Sequence, residues 1–163
     1  GGRMRLILGR EGSTIIDDTY NASPIAMHAA VEVLSSIETN GRRIAVLGDM
    51  LELGRHTDDE HRKVGELIAR LGNIHILITV GPRSMMIAEA AKEAGYPADR
   101  IVSYRETSQV FEPLTDLIAD TDVVLVKGSQ SMRTERIVEK IMEHPEEKEK
   151  LLCRQDPEWI KRK

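Results

Sequence analysis

DVVLVKGS, at residues 122–129, is the stretch of sequence that decides the fold of this chain. Its apolar residues follow one another without polar alternation, and a lysine, a glycine and a serine come directly after them. Such a run is typical of a strand that is covered on both faces, as strands are in parallel sheets between helices. The stretch therefore predicts a buried parallel strand that ends in a polar loop.

Similar apolar runs recur along the chain and alternate with helical patterns. We predict strands at residues 14–18, 43–47, 74–80, 101–104 and 122–126, and a strand at 4–8 that pairs with 14–18 as an edge hairpin. Apolar residues spaced for one helix face predict helices after Ser23-Pro24, after a capping box at Thr57–Glu60, between Ser84 and Gly95, around 110–118 with a bend at Pro113, and at 132–143.

This order of elements predicts one α/β domain. We expect a Rossmann-like, doubly wound and mostly parallel sheet of about six strands, with an antiparallel edge strand or hairpin and helices on both faces. The domain is expected to span residues 1–144. Residues 145–163 are predicted to form a charged, partly helical tail.

Composition narrows the classes of function. The 163 residues carry a net charge of −4 and only 3% aromatic residues, which argues against nucleic-acid binding. No stretch approaches the about 20 apolar residues of a membrane span. Cys153 is the single cysteine, so no internal disulfide can form and a reducing compartment, the cytoplasm, is expected.

Polar residues gather in the loops that follow the predicted strands, at residues 17–24, 48–54, 81–84 and 127–133. In an open parallel sheet, ligands bind beyond the carboxyl ends of the strands. The sequence has neither a P-loop nor a G-x-G-x-x-G fingerprint, and His56 and His61 have no spacing that predicts a metal site. From the residues alone, the pattern indicates a ligand-binding α/β domain whose ligand is unidentified.

Three of these loops resemble a known family. IDDTYNASP at residues 16–24, AVLGDMLELG at 45–54 and VLVKGS at 124–129 are similar, in this order, to segments of the C-terminal domain of Mur ligases. The similarity covers roughly residues 2–144 and favours the branch that adds D-alanyl-D-alanine.

The resemblance implies a reaction. ATP phosphorylates the terminal carboxylate of UDP-MurNAc-tripeptide, and the amine of D-alanyl-D-alanine attacks the acyl phosphate. In the family, other domains carry the UDP-sugar site, the P-loop and the Mg²⁺ ligands, and the C-terminal domain rotates inward and excludes water. We therefore expect this chain alone to be inactive, to bind ATP weakly or not at all, to hold no metal, and to be a monomer in the bacterial cytoplasm.

The resemblance also implies roles for particular residues, although none is assigned as catalytic. Gln130 stands where the family commonly has arginine, so a bidentate carboxylate anchor is either lost here or moved to Arg133. The resemblance implies ATP contacts for Asp18, Tyr20 and Asn21, and places Asp49, Glu52, Lys127, Gly128, Ser129 and Arg133 in loops around the dipeptide.

Two alternatives belong to other classes of function. A receiver-like signalling module also has paired aspartates after its first strand and a lysine after its last. Here, however, Val80-Gly81 supplies no phosphoacceptor aspartate, and Gly128 replaces the expected proline. A stand-alone binding domain that borrowed the ligase fold is the second alternative, and a P-loop encoded upstream of Gly1 would argue against it.

Overall fold

A six-stranded sheet forms the centre of the computed structural model, which describes residues 1–162. Its strand order is β1-β2-β6-β3-β4-β5, and only the edge pair β1 and β2 is antiparallel. The predicted fold class is therefore confirmed. The strands are β1 (Arg5–Leu8), β2 (Thr14–Asp18), β3 (Arg43–Gly48), β4 (Ile76–Val80), β5 (Ile101–Tyr104) and β6 (Val123–Lys127).

Helices cover both faces of this sheet. The predicted start of the first helix is confirmed, because Ser23 Oγ accepts a hydrogen bond from the Ala26 amide at 3.2 Å and Pro24 is the first helical residue. Gly72 ends the second helix with a left-handed φ of 73°. The helices are α1 (Pro24–Ser36), α2 (Thr57–Leu71), α3 (Met85–Glu93), α4 (Phe111–Leu117), α5 (Glu135–Ile141), α6 (Lys148–Leu151) and α7 (Pro157–Lys161).

Two predicted helix starts were wrong. Thr57 is the first residue of α2 and not its cap, because its hydroxyl donates to the Gly54 carbonyl at 2.7 Å and closes a 3-10 turn. The last predicted helix begins at Glu135 and not at residue 132, because Arg133 takes a left-handed φ of 55°. In both cases a tight turn occupies the residues that the apolar spacing assigned to the helix.

Three predicted strands begin too early: those at 4–8 and 122–126 by one residue, and the one at 74–80 by two. Residue 74 was expected to begin a strand, but β4 begins at Ile76. The His75 ring interrupts regular pairing, because its Nδ1 accepts the Arg43 amide at 2.8 Å while the His75 amide donates to the Arg43 carbonyl at 2.8 Å. The side chain thus replaces a backbone acceptor at the strand entrance.

The core has one layer on each side of the sheet. Successive residues of β6 alternate between them: Leu125 packs with α1, α2 and α3, whereas Val124 and Val126 pack with α4 and α5. All three side chains are fully buried. This alternation explains the continuous apolar run, since each face of the strand meets a helical layer.

The tail contains short helical segments. Residues 145–162 hold the 3-10 turn Pro145–Glu147, α6 and α7, and Leu152 packs into the layer beneath α5. Lys163, the last residue of the predicted tail, lies outside the described residues. Within residues 1–162, no helix combines the length and apolar character needed to cross a bilayer.

Truncation of the central strand should destabilise the domain strongly. We expect Leu125→Ala to lower the free energy of unfolding by about 3 kcal/mol, because it leaves a cavity in a fully buried position. Leu6→Ala is the matched control, since Leu6 is 64% exposed on the edge strand. Urea denaturation of both variants checks this, and equal losses would contradict it.

Candidate functional site

The loops after β2, β3 and β6 meet at one edge of the sheet. These strands are parallel neighbours, so their carboxyl ends lie side by side. A cleft of about 580 Å³ opens between the loops. It is lined by Asn21, Ala22, Ser23, Leu51, Glu52, Leu53, Ser129, Gln130, Ser131, Arg133, Trp159 and Arg162.

Lys127 ties the first loop to the end of β6. Its side chain is buried, and its Nζ donates to Asp18 Oδ2 at 2.7 Å and to the Asn21 carbonyl at 2.8 Å. Asp18 also accepts the Met4 amide at 3.1 Å. The structure therefore places Lys127 and Asp18 together, but it uses the lysine to hold a loop and not to line the cleft.

Asp49 is also turned away from the cleft. Its Oδ1 accepts the Ser84 amide at 2.7 Å and the Ser84 hydroxyl at 2.8 Å, and Oδ2 lies 3.4 Å from Nη1 of Arg83. A Cβ added at Gly81, which has a φ of 103°, would lie 2.5 Å from Asp49 Oδ1. Asp49 therefore fixes the loop after β4, and its carboxylate is already occupied by that loop.

His61 positions the second loop from below. Its Nε2 accepts the Met50 amide at 3.0 Å, and its Nδ1 lies 2.6 Å from the Thr57 carbonyl. Because a carbonyl only accepts, Nδ1 carries the proton and the ring is the neutral Nδ1–H tautomer. This buried histidine has a structural role, as is common for a histidine in a helix.

Ser129 joins the second loop to the third. Its Oγ accepts the Leu51 amide at 2.9 Å, and its own amide donates to the Asp49 carbonyl at 2.9 Å. Gly128 lies where the second and third loops approach each other, and a Cβ added there would lie 2.9 Å from Thr134 Cγ2. These two predicted site residues therefore shape the floor of the cleft, and Ser129 also lines it.

The remaining predicted residues divide between the cleft and the outer surface. Glu52 lines the cleft from a left-handed backbone position with a φ of 63°. Asn21 and Gln130 line it as well. Tyr20 does not line the cleft. The residue is 44% exposed, and its ring lies against Arg3, whose guanidinium carbon is 4.1 Å from the ring centroid.

Arg133, Glu135 and Arg154 form a buried charge cluster that the sequence did not reveal. Its Nε donates to Glu135 Oε1 at 2.5 Å, and Arg154 Nη2 donates to Glu135 Oε2 at 2.9 Å. Arg154 also donates to the Tyr20 carbonyl at 2.9 Å and to the Thr19 carbonyl. The tail thereby reaches under the first loop, and Glu135 is neutralised from both sides.

The other half of the Arg133 guanidinium is bound to the tail. Nη1 donates to the Trp159 carbonyl at 2.7 Å and to the Arg162 carbonyl at 3.2 Å. Arg133 was predicted as a substitute carboxylate anchor, and it does line the cleft. These contacts nevertheless commit much of its donor capacity to residues of the chain itself.

Asp17, one residue before the end of β2, is another buried carboxylate. Burial raises the pKa of Asp17 above its ordinary value of 3.8, and the hydrogen bond from the Thr19 hydroxyl at 2.6 Å offsets only part of this rise. Asp17 Oδ2 has no hydrogen-bond partner within the described residues. The ionised form is therefore disfavoured in the folded chain.

The comparison with protein families agrees with this arrangement of loops. Residues 2–130 match the family described as Mur ligase, glutamate ligase domain. The chain belongs to this family. The expected resemblance is thereby confirmed, and the receiver-like alternative is not supported.

Characterised relatives of this Mur ligase domain are similar over most of its length. It is 36% identical over 145 residues to the UDP-N-acetylmuramoyl-tripeptide–D-alanyl-D-alanine ligase of Bacillus subtilis. The aligned region covers 89% of this chain and 31% of the relative. The corresponding Escherichia coli ligase is also 36% identical and covers 88% of this chain and 30% of the relative. The chain thus spans about a third of the length of the relatives it matches.

Two solved structures of MurF also match this chain over about a third of their own length. MurF from Acinetobacter baumannii matches with a TM-score of 0.73 and 28% identity, over 84% of this chain and 29% of that one. MurF ligase from Thermotoga maritima in complex with ADP matches with a TM-score of 0.68 and 29% identity, over 93% of this chain and 32% of that one.

Within residues 1–162, the Mur ligase domain has no group of three histidine, cysteine, aspartate or glutamate side chains placed to hold a metal ion. Asp18, Asp49 and Glu135 are paired with cations or with backbone and hydroxyl donors of the chain itself. These carboxylates therefore do not fit a magnesium site.

Loss of Arg154 should loosen both the tail and the first loop. We expect Arg154→Met to lower the free energy of unfolding by about 3 kcal/mol, since it removes one partner of a buried ion pair. Hydrogen exchange at Thr19 and Tyr20 should accelerate. The control is Arg62→Met, which breaks the partly exposed ion pair with Glu93 and should cost below about 1 kcal/mol; similar losses in the two variants would argue against this role.

Asp17 should make stability depend on pH. Because its folded pKa is raised, its contribution to stability is complete below pH 3.8 and is lost as the pH rises through the folded pKa. Asp17→Asn cannot ionise and retains Oδ1 for Thr19, so we expect it to be more stable than the wild type at pH 7, with a difference that shrinks toward pH 3. Urea unfolding between pH 3 and 8 measures this, with exposed Asp116→Asn as the control; a difference independent of pH would refute it.

Proposed function

We propose that this domain receives D-alanyl-D-alanine, and contacts ATP in part, within a ligase that joins the dipeptide to UDP-MurNAc-tripeptide through an acyl phosphate. The observation that carries the proposal is the cleft formed by the β2, β3 and β6 loops, in a chain whose relatives are named as this ligase. We place the ligase in the bacterial cytoplasm and expect it to be a monomer.

The cleft offers suitable groups for the attacking amine. Glu52 lines it and, within the described residues, makes no hydrogen bond or ion pair, so its carboxylate can accept the ammonium group of the dipeptide. Ser129 and Gln130 add polar groups on the β6 side. Lys127 and Asp49 act as positioning residues, because they hold the loops that present these groups.

Contact with ATP is assigned to the first loop, at Asp18, Tyr20 and Asn21. The exposed Tyr20 ring and the Arg3 guanidinium beside it form an outward surface. ATP supplies the phosphoryl group that activates the carboxylate, and we assign its P-loop, Mg²⁺ and the UDP-MurNAc-tripeptide to other domains of the ligase. The chain by itself should therefore neither hydrolyse ATP nor form the amide bond.

We retain the division into a domain at residues 1–144 and a tail from residue 145. The division is supported by the two core layers, to which the tail adds little beyond Leu151 and Leu152. The bonds of Arg154 to the first loop indicate that the tail is fastened to the domain as a fixed part of it.

The proposal is tested by titrating the chain with D-alanyl-D-alanine and recording amide NMR shifts. We expect shifts at residues 51–53 and 129–131, and weaker binding of L-alanyl-L-alanine. Glu52→Gln should weaken binding about tenfold, through loss of a charge-assisted hydrogen bond. Glu66→Gln, at an exposed glutamate of α2, should leave affinity unchanged. The absence of any shift in these loops would refute the dipeptide site.

ATP gives an independent test of the division of labour between domains. With Mg²⁺ present, we expect ATP to bind the chain only weakly and to shift amides of residues 18–21, because the sequence supplies no P-loop. Calorimetry and NMR measure both properties. A micromolar affinity would contradict the assignment of the phosphate site to other domains.

A further inference from the structure

Among residues 1–162, three formally charged side chains line the cleft. They are Glu52, Arg133 and Arg162. Arg133 gives its Nε to Glu135 and its Nη1 to the Trp159 and Arg162 carbonyls, so it serves mainly to hold the tail. Lys127 is buried behind the cleft wall with both Asp18 and the Asn21 carbonyl as partners. Of the cleft cations in the described part of the chain, Arg162 is the one that remains available to a ligand.

The Arg162 guanidinium is oriented without using its hydrogen-bond donors. Its central carbon lies 4.3 Å from the centroid of the Trp159 ring. Within residues 1–162, this guanidinium has no hydrogen bond or ion pair, and the residue is exposed. Stacking on an aromatic face leaves the N–H groups at the edge of the guanidinium free to bind a planar anion.

Trp159, on which Arg162 stacks, is itself held in place by backbone hydrogen bonds. Asp156 begins α7 and accepts the Glu158 and Trp159 amides at 3.1 and 3.2 Å. The Trp159 carbonyl is held by Arg133, and the Arg162 carbonyl by Arg133 and Arg136. The last described turn of the chain is therefore anchored at its backbone while its terminal arginine side chain stays available.

A dipeptide is a zwitterion, with an ammonium group at one end and a carboxylate at the other. Glu52, on the β3 loop, supplies a free carboxylate to the cleft, and Arg162, on the tail, supplies a free guanidinium. Charge complementarity of this kind orients a small ligand as well as binding it. The cleft thus has one group for each end of the ligand.

We propose that Arg162, stacked on Trp159, binds the carboxylate of the incoming dipeptide, and that the tail is therefore part of the substrate site. This inference rests on the proposed function. It assigns to the tail the carboxylate anchor that was expected at Arg133, with Arg133 acting as the positioning residue that holds the tail in place.

The test compares D-alanyl-D-alanine with D-alanyl-D-alaninamide, which lacks the carboxylate charge. In the 163-residue chain, we expect the amide to bind about tenfold more weakly, as measured by NMR titration. In Arg162→Gln, the acid should weaken about tenfold while the amide is unaffected, so that the two affinities become equal. Arg162→Lys should restore part of the preference, and Trp159→Leu should reduce it.

The control is Arg70→Gln, which removes an exposed arginine of α2 that does not line the cleft and should keep the tenfold preference. A merely structural role of Arg162 would weaken both ligands alike and leave their ratio at about ten, which would overturn the inference. An unchanged affinity for the acid in Arg162→Gln would also overturn it and leave the proposed function standing. Failure of the wild-type chain to bind either ligand would refute the dipeptide site itself, and the inference with it.

Discussion

The arrangement of the cleft depends on the buried ion pair between Lys127 and Asp18. The two residues are register partners at the carboxyl ends of adjacent parallel strands, so the sheet itself brings them together. A lysine at this depth is tolerated only when its charge is paired and its donors are satisfied. The bond to the Asn21 carbonyl completes that requirement and, in doing so, fixes the course of the first loop.

The same rule explains why the tail is held against the domain. Glu135 is fully buried at the start of α5 and has an arginine on each side. Each arginine also donates to backbone carbonyls: Arg154 to those of the first loop, and Arg133 to those of the tail. The buried carboxylate of Glu135 thus links the first loop, the start of α5 and the tail. Removal of Glu135 would leave two arginine charges without their carboxylate, and removal of either arginine would leave backbone carbonyls without their donors.

The sheet could be predicted because its strands are apolar on both faces and its turns contain strong signals such as Ser23-Pro24 and Gly72. The direction of charged side chains could not be predicted. Asp49 and Lys127 carry the charges that a ligand site needs, yet both are used inside the chain. The role of Arg154 was also hidden, because a charged tail without periodicity gives no sign that one of its arginines is buried under a loop 134 residues earlier in the sequence.

The charged residues at the cleft therefore fall into two groups, one that holds the loops and one that faces a ligand. Buried charges are paired and hold the loops through Lys127, Asp49 and Glu135, whereas Glu52 and Arg162 lie at the exposed side of the cleft, where a ligand can reach them. Loops that are held by ion pairs and hydrogen bonds in this way need little ordering when a substrate binds, and this lowers the entropic cost of binding. In the proposed ligase, closure would then move this domain as a body with its dipeptide groups already in place. Binding energy would be used to bring the amine to the acyl phosphate and to exclude water, and not to fold the site.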